Sequence, residues 1–250
     1  MTFDLIGYTE SQDSATLVNV AAIADPNQTV NGDNVRVPDK FNKIGAVYAL
    51  GPNLTQIELQ APSLLKRLNP NFRPLDLAAE PSSPTPLTNM FDNPLSLKTG
   101  ENLTALAAED AAGASRATVM VFLVEGALAP IKGSEVITVR ATGTTTLVAN
   151  AWSNGTITLD DNLEEGTYAL IGARGEAAGL QAFRFVFKGQ SPRPGAIGYD
   201  AASDLENTIF RKGGLGEWGR FTQDNLPTVD YLSNSADTAE TLWLDLQKVA

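Results

Sequence analysis

Neither cysteine nor histidine occurs in the chain. Their absence excludes disulfide staples, thiolate and imidazole zinc sites, and nucleophilic systems of the Ser-His-Asp or Cys-His kind. Most familiar enzyme chemistries go with them, and no motif in what remains specifies a reaction. The chain is read as non-enzymatic, with no cofactor and no metal site. Long apolar runs are missing too, since no stretch approaches the ~20 residues that a membrane span requires. Basic residues are few, 18 Lys and Arg against 29 Asp and Glu, and the net charge of −11 opposes a general attraction to phosphate. The opening MTFDLIGYTE has no basic region ahead of an apolar stretch, so no secretory signal is expected there.

What is present suffices for a core without staples. A chain of 250 residues, 43% of them hydrophobic, can bury roughly 70–75% of the surface of its extended form. The apolar residues fall in short runs separated by turn signals. Residues 117–124 form a nearly continuous β-branched run that reads as a central strand buried on both faces. Glu135 to Ala141 alternates as a half-buried strand would. Leu147–Trp152 and Thr156–Asp160 flank Asn154-Gly155, a dipeptide suited to a type I′ hairpin turn. Further strands are expected at Thr167–Ala173 and Leu180–Lys188, the latter with Phe183, Phe185 and Phe187 inward and Arg184 and Lys188 outward. Along the flanks, strands are expected at Phe3–Tyr8, Ala15–Ile23, Asn34–Val37, Gly45–Leu50, Leu54–Gln60, Thr228–Leu232 and Leu242–Leu246. Three short helices are expected at Pro62–Leu68, Glu101–Ala111 (with Leu103, Leu106 and Ala107 on one stripe) and Ala201–Phe210.

Many short strands with close turns specify an all-β chain, a jelly-roll type β-sandwich with short helical insertions and long ordered loops. Length alone allows one large domain or two small ones; the spacing is read as a single jelly-roll-like domain over residues 1–250. Its predicted core is Val119, Val121, Leu123, Ile137, Val139, Tyr168, Leu170, Phe183, Phe185 and Phe187. Two segments depart from a plain sandwich. Residues 70–98 carry six of the fourteen prolines and read as an extended loop, a type of segment that is usually functional or bound to something. Residues 189–221 are Gly-rich and aromatic and read as an ordered excursion rather than a strand.

The candidate functional residues lie around that excursion. From Arg174 to Phe221 seven basic residues face five acidic ones, so this stretch is positive within an acidic chain. Arg184, Lys188, Arg193, Arg211 and Lys212 form a candidate patch that meets either a neighbouring subunit or nucleic acid. Trp218 and Phe221 are read as loop anchors, with an aromatic and cationic platform for single-stranded nucleic acid or sugar as the alternative. Gly213-Gly214-Leu215-Gly216 lacks the ending of a phosphate loop and reads as a tight turn with positive φ. The acidic run Asp160 to Gly166 lacks the distal bidentate Glu of a calcium loop and reads as a solvated turn.

The order of Leu163-Glu164-Glu165-Gly166-Thr167-Tyr168, the strand AFRFVF, the turn Arg193-Pro194-Gly195 and the segment FRKGGLGEWGRF resembles that in coat proteins of small tailless icosahedral viruses, of the bacteriophage kind. The resemblance covers roughly Ala117 to Ala250. It implies a jelly-roll capsid subunit that self-assembles into an icosahedral shell and is located in the virion after assembly in the host cytoplasm. The implied partners are copies of itself in a large symmetric assembly, other virion proteins and the packaged genome. The chain departs from coat proteins with an Arg-rich amino-terminal arm, because its first basic residue is Arg36. The alternative is a carbohydrate-binding, lectin-like β-sandwich of a phage fibre or cell surface, which exposed aromatics on one face would favour.

Overall fold

The computed structural model describes residues 1–65, 70–81, 83–110, 115–131, 135–199, 207–236 and 239–249. They are almost entirely β, with one 3-10 turn at Thr208–Phe210. Their contacts group into two compact units, one of Ile6–Glu125 and one of Gly126–Ala250 together with Met1–Leu5. Jelly-roll connectivity can be followed in each of these units.

The first unit is built from the Ile6–Gln12 part of β1 (Thr2–Gln12), β2 (Val18–Val20), β3 (Val30–Asn31), β4 (Asn34–Arg36), β5 (Lys43–Gly51) and β6 (Leu54–Gln60). Four two-residue strands follow, β7 (Asn71–Phe72), β8 (Leu75–Asp76), β9 (Thr88–Asn89) and β10 (Leu95–Ser96). Then come β11 (Asn102–Glu109) and β12 (Ser115–Glu125). One sheet runs β1-β12-β5-β10 and the other β3-β4-β11-β6-β7, with β2 also on β11. The pairs are therefore nested: β1 with β12, β4 with β11, β5 with β10 and β6 with β7. A long hairpin folded over on itself gives this nesting, and it defines the jelly roll. Val47, Leu59, Ala105, Val119, Val121 and Leu123 lie in its core.

Three expectations change in this unit. The helix expected from Glu101 does not form: β11 occupies Asn102–Glu109 and pairs with β2, β4 and β6, while Ala111, the last residue of that expectation, lies outside the described residues. Its Leu and Ala residues favour a helix in isolation, but they are buried on both faces here, where small side chains fit between sheets and cross-strand pairing overrides propensity. Pro62–Ser63-Leu64-Leu65 is a turn, and the rest of that expected helix lies outside the described residues. The Pro-rich 70–98 stretch is not a free loop, because β7 pairs with β6 while β8, β9 and β10 pair with β5. Proline cannot donate to a ladder, and that keeps each of these strands very short.

The second unit contains β13 (Ile137–Thr144), β14 (Ser153–Leu159), β15 (Thr167–Glu176), β16 (Leu180–Val186), β17 (Gly195–Tyr199), β18 (Gly219–Thr222), β19 (Thr228–Ser233) and β20 (Ala239–Lys248). The same nesting recurs: β13 with β20, β14 with β19, β15 with β18 and β16 with β17. Two more pairings, β13 with β14 and β15 with β17 in parallel, close the sheet into a seven-stranded barrel that leaves β18 outside the ring. Closure removes the exposed edges that an open sheet would present. The 189–221 stretch thus contributes two strands, β17 and β18, as well as turns. Of the expected helix at Ala201–Phe210, only the 3-10 turn falls among described residues.

Asn154-Gly155 does not make a hairpin turn. Both residues lie inside β14, opposite Asp230 and Val229, and the chain turns earlier, at Ala149-Asn150, where Asn150 takes φ 62°. Gly155 is needed for close approach rather than for positive φ. A Cβ there would lie 2.7 Å from Thr145 Cβ, 2.8 Å from the Thr144 carbonyl oxygen and 3.2 Å from the Tyr231 ring. Gly155→Ala is therefore expected to destabilise this unit by about 1–3 kcal/mol, as overpacked sites do, and urea unfolding measures it.

Candidate functional site

The five candidate cations do not form one patch. Arg184 sits on β16 between Phe183 and Phe185 and alternates with them as expected, yet it is fully buried rather than outward-facing. On the face opposite the phenylalanines, Leu5 and Trp152 lie against Arg184. The Arg184 guanidinium stacks 4.0 Å from the centre of the Trp152 ring, and its Nη1 donates to the Leu5 carbonyl at 2.9 Å. Its Nε donates to Asp230 Oδ2 at 3.0 Å.

Asp230 organises this cluster. Asn154, Asp230 and Arg184 stand opposite one another on β14, β19 and β16, so a single row crosses three strands. Asn154 Nδ2 donates to Asp230 Oδ1 at 2.7 Å, and Arg193 Nη1 reaches Asp230 Oδ2 at 2.7 Å. The Arg193 main chain also exchanges hydrogen bonds with the amino-terminal residues, donating to Asp4 Oδ1 and accepting from the Leu5 N–H. Asp230 was not nominated from the sequence. The available signal was an acid within the otherwise apolar run Thr228–Leu232, which in a strand implies a buried cation opposite.

Arg211 belongs to a second cluster. Its Nε and Nη2 donate to the two carboxylate oxygens of Asp245 at 2.7 and 3.0 Å, and Asp245 lies opposite Thr138, whose hydroxyl donates to it at 2.7 Å. The Lys212 N–H donates to the same carboxylate at 2.8 Å while the Lys212 side chain is exposed. Lys188 lies beyond the end of β16 and is also exposed. Gly213 and Gly216 take φ 79° and 82°, the tight turn expected of that glycine run. The turn lies flat on β15 at Gly172, where a Cβ would meet the Lys212 nitrogen at 2.7 Å.

Burial by itself would raise the Asp245 carboxyl, but hydrogen bonds from Arg211, Thr138 and the Lys212 N–H outweigh it and hold the group below its ordinary value of 3.8. A carboxyl lowered by folding adds stability above its unfolded pKa and loses it as pH falls through the folded one. The wild-type chain is therefore expected to lose stability as pH drops below about 3.8 more steeply than Asp245→Asn does. Urea midpoints measured through that acidic range compare the two.

Trp218 and Phe221 are both buried. The Trp218 ring meets Phe3 edge-on at 5.3 Å and Phe185 at 6.0 Å, and Phe221 stacks on Tyr168 at 6.1 Å. Neither ring is exposed to receive a base or a sugar. Of the predicted core, nine residues are buried, while Ile137 is 40% exposed near the start of β13. It lines a cleft of about 510 Å³ with Leu163, Tyr168, Leu246 and the ion pair of Glu164 and Lys248. The Tyr168 hydroxyl donates to the Glu164 carbonyl at 3.0 Å and thereby ties the acidic turn to β15. Among the described residues no three acidic side chains gather as a metal site requires, and no helix is long and apolar enough to cross a membrane.

No protein family matches the sequence, and no characterised protein matches it. Among solved structures, the major capsid protein P2 from bacteriophage PM2 aligns over 97% of this chain and 98% of that one. The identity is 10% and the TM-score 0.23, a superposition too loose to carry an argument.

Proposed function

We propose that the chain is a structural subunit of a virus shell that assembles from many copies of itself. The observation that carries this reading is the repetition of one jelly-roll connectivity in both units of a single chain. Jelly rolls serve shells and lectins alike, so fold alone does not choose between them. The choice is supported by the side chains. The aromatics that a sugar-binding face would use, Trp218 and Phe221, are spent inside the protein. Three of the five candidate cations are also engaged internally, Arg184 and Arg193 on Asp230 and Arg211 on Asp245, while the Lys188 and Lys212 side chains are exposed. In this reading, contacts with neighbouring copies use surfaces other than a concentrated basic patch, and the genome is not held by one.

The experiment is sedimentation and negative-stain microscopy of the purified full-length chain. Closed particles of uniform size are expected. A chain that stays a 26.5 kDa monomer at high concentration, in the presence and absence of added nucleic acid, overturns the reading.

A further inference from the structure

We propose that Asn31 is a site of spontaneous deamidation, in which its side-chain amide is converted to aspartate and isoaspartate. Asn-Gly is the dipeptide most open to this reaction, because a glycine offers no side chain to block attack by its own main-chain nitrogen. The chain has two such dipeptides, Asn31-Gly32 and Asn154-Gly155. Both asparagines are exposed, so exposure does not distinguish them. The backbone does.

Asn31 ends β3, a two-residue strand at the end of its sheet that pairs with β4 alone, through Val30 to Val35 and Asn31 to Asn34. Gly32 starts the connecting turn with φ 60°, and no atom lies within 4 Å of the place a Cβ would take. Edge pairs this short open at little free energy, and the main chain can then rotate into the geometry the reaction needs. Asn154 lies within seven-residue β14, where it pairs with Asp230 of β19 and its carbonyl accepts from Thr145 Oγ1 at 2.9 Å. Its Nδ2 is held by Asp230 Oδ1 at 2.7 Å and Thr228 Oγ1 at 3.1 Å, and Gly155 packs beneath the Tyr231 ring.

The step balances with solvent alone. Hydroxide removes the Gly32 amide proton, and the nitrogen attacks Asn31 Cγ. The Cγ–Nδ2 bond breaks as ammonia leaves with a proton from water. Water then opens the cyclic imide at either carbonyl, which leaves aspartate or, with one more carbon in the main chain, isoaspartate. Either product adds a negative charge beside Asp33, whose carboxylate accepts from Asn19 Nδ2 at 3.1 Å. The isoaspartate also takes Val30 and Asn31 out of register with β4.

The test is incubation of the full chain in mildly alkaline buffer, followed by proteolysis and mass analysis of the two Asn-Gly peptides, with a parallel sample in denaturant. In the folded chain the Asn31 peptide is expected to gain the deamidation mass at least about tenfold faster than the Asn154 peptide, since only Asn31 opens readily. In denaturant the two rates are expected to converge, and Asn31→Gln is expected to abolish the gain at that peptide. Equal rates in the folded chain, or an Asn31 peptide that reacts only in denaturant, overturn the proposal. Neither result bears on whether the chain forms particles.

Discussion

Asp230→Ala is expected to lower the stability of the carboxy-terminal unit by about 3–5 kcal/mol, the size of effect seen when one member of a buried ion pair is removed. The size follows from what is left behind. Arg184 is fully buried, so without Asp230 its guanidinium loses the carboxylate opposite it, while the Leu5 carbonyl and the Trp152 ring stay beside it. Arg193 loses the same carboxylate, and Asn154 loses an acceptor. Asp230→Asn is expected to restore little, because it can accept a hydrogen bond but carries no charge. All three tryptophans, Trp152, Trp218 and Trp243, lie in this unit, so urea unfolding followed by tryptophan fluorescence reports on it selectively. A loss below about 1 kcal/mol would place the pair among exposed, solvent-screened ones and refute its role as the organising contact.

Phe185→Ala carries the second large effect, also about 3–5 kcal/mol. The Phe185 ring meets Phe183 edge-on at 5.8 Å, Phe187 at 6.2 Å and Trp218 at 6.0 Å. Its removal leaves a cavity that the barrel cannot collapse, because seven strands closed on themselves hold the surrounding walls apart. Loss of the ring beside Trp218 is expected to shift tryptophan emission along with the urea midpoint. Ile137→Ala is the contrasting case. That residue was assigned to the same core from the sequence but is 40% exposed, so its truncation is expected to stay within about 0.5 kcal/mol. Similar losses for Phe185→Ala and Ile137→Ala would show that the described core is wrong.

Where the strands run was decided locally and could be read from the sequence. Leu54–Gln60 is β6 without a shift, and the apolar run at 117–124 lies within β12, between β1 and β5. Alternation along β16 likewise placed Phe183, Phe185 and Phe187 on one face and Arg184 on the other. Periodicity of two is a property of the strand itself, so neighbouring residues reveal it. The all-β class followed from the same signals.

What each face meets was not local. Arg184 alternates as a surface residue would, yet the Leu5 carbonyl and the Trp152 ring lie against it, and its acid stands on a strand 46 positions later in the chain. Leu103, Leu106 and Ala107 form a helical stripe, and only pairing with β2, β4 and β6 makes that segment a strand. Asn154-Gly155 has the composition of a turn, and only the ring of Tyr231 and the nearby Thr145 explain why glycine is there. The nested pairing that makes two jelly rolls joins strands far apart in sequence, such as β1 to β12 and β13 to β20. Strand formation depends on spacing between near neighbours, whereas burial of a charge, the role of a glycine and the order of strands depend on which distant segment packs alongside, and that was settled only when the chain closed on itself.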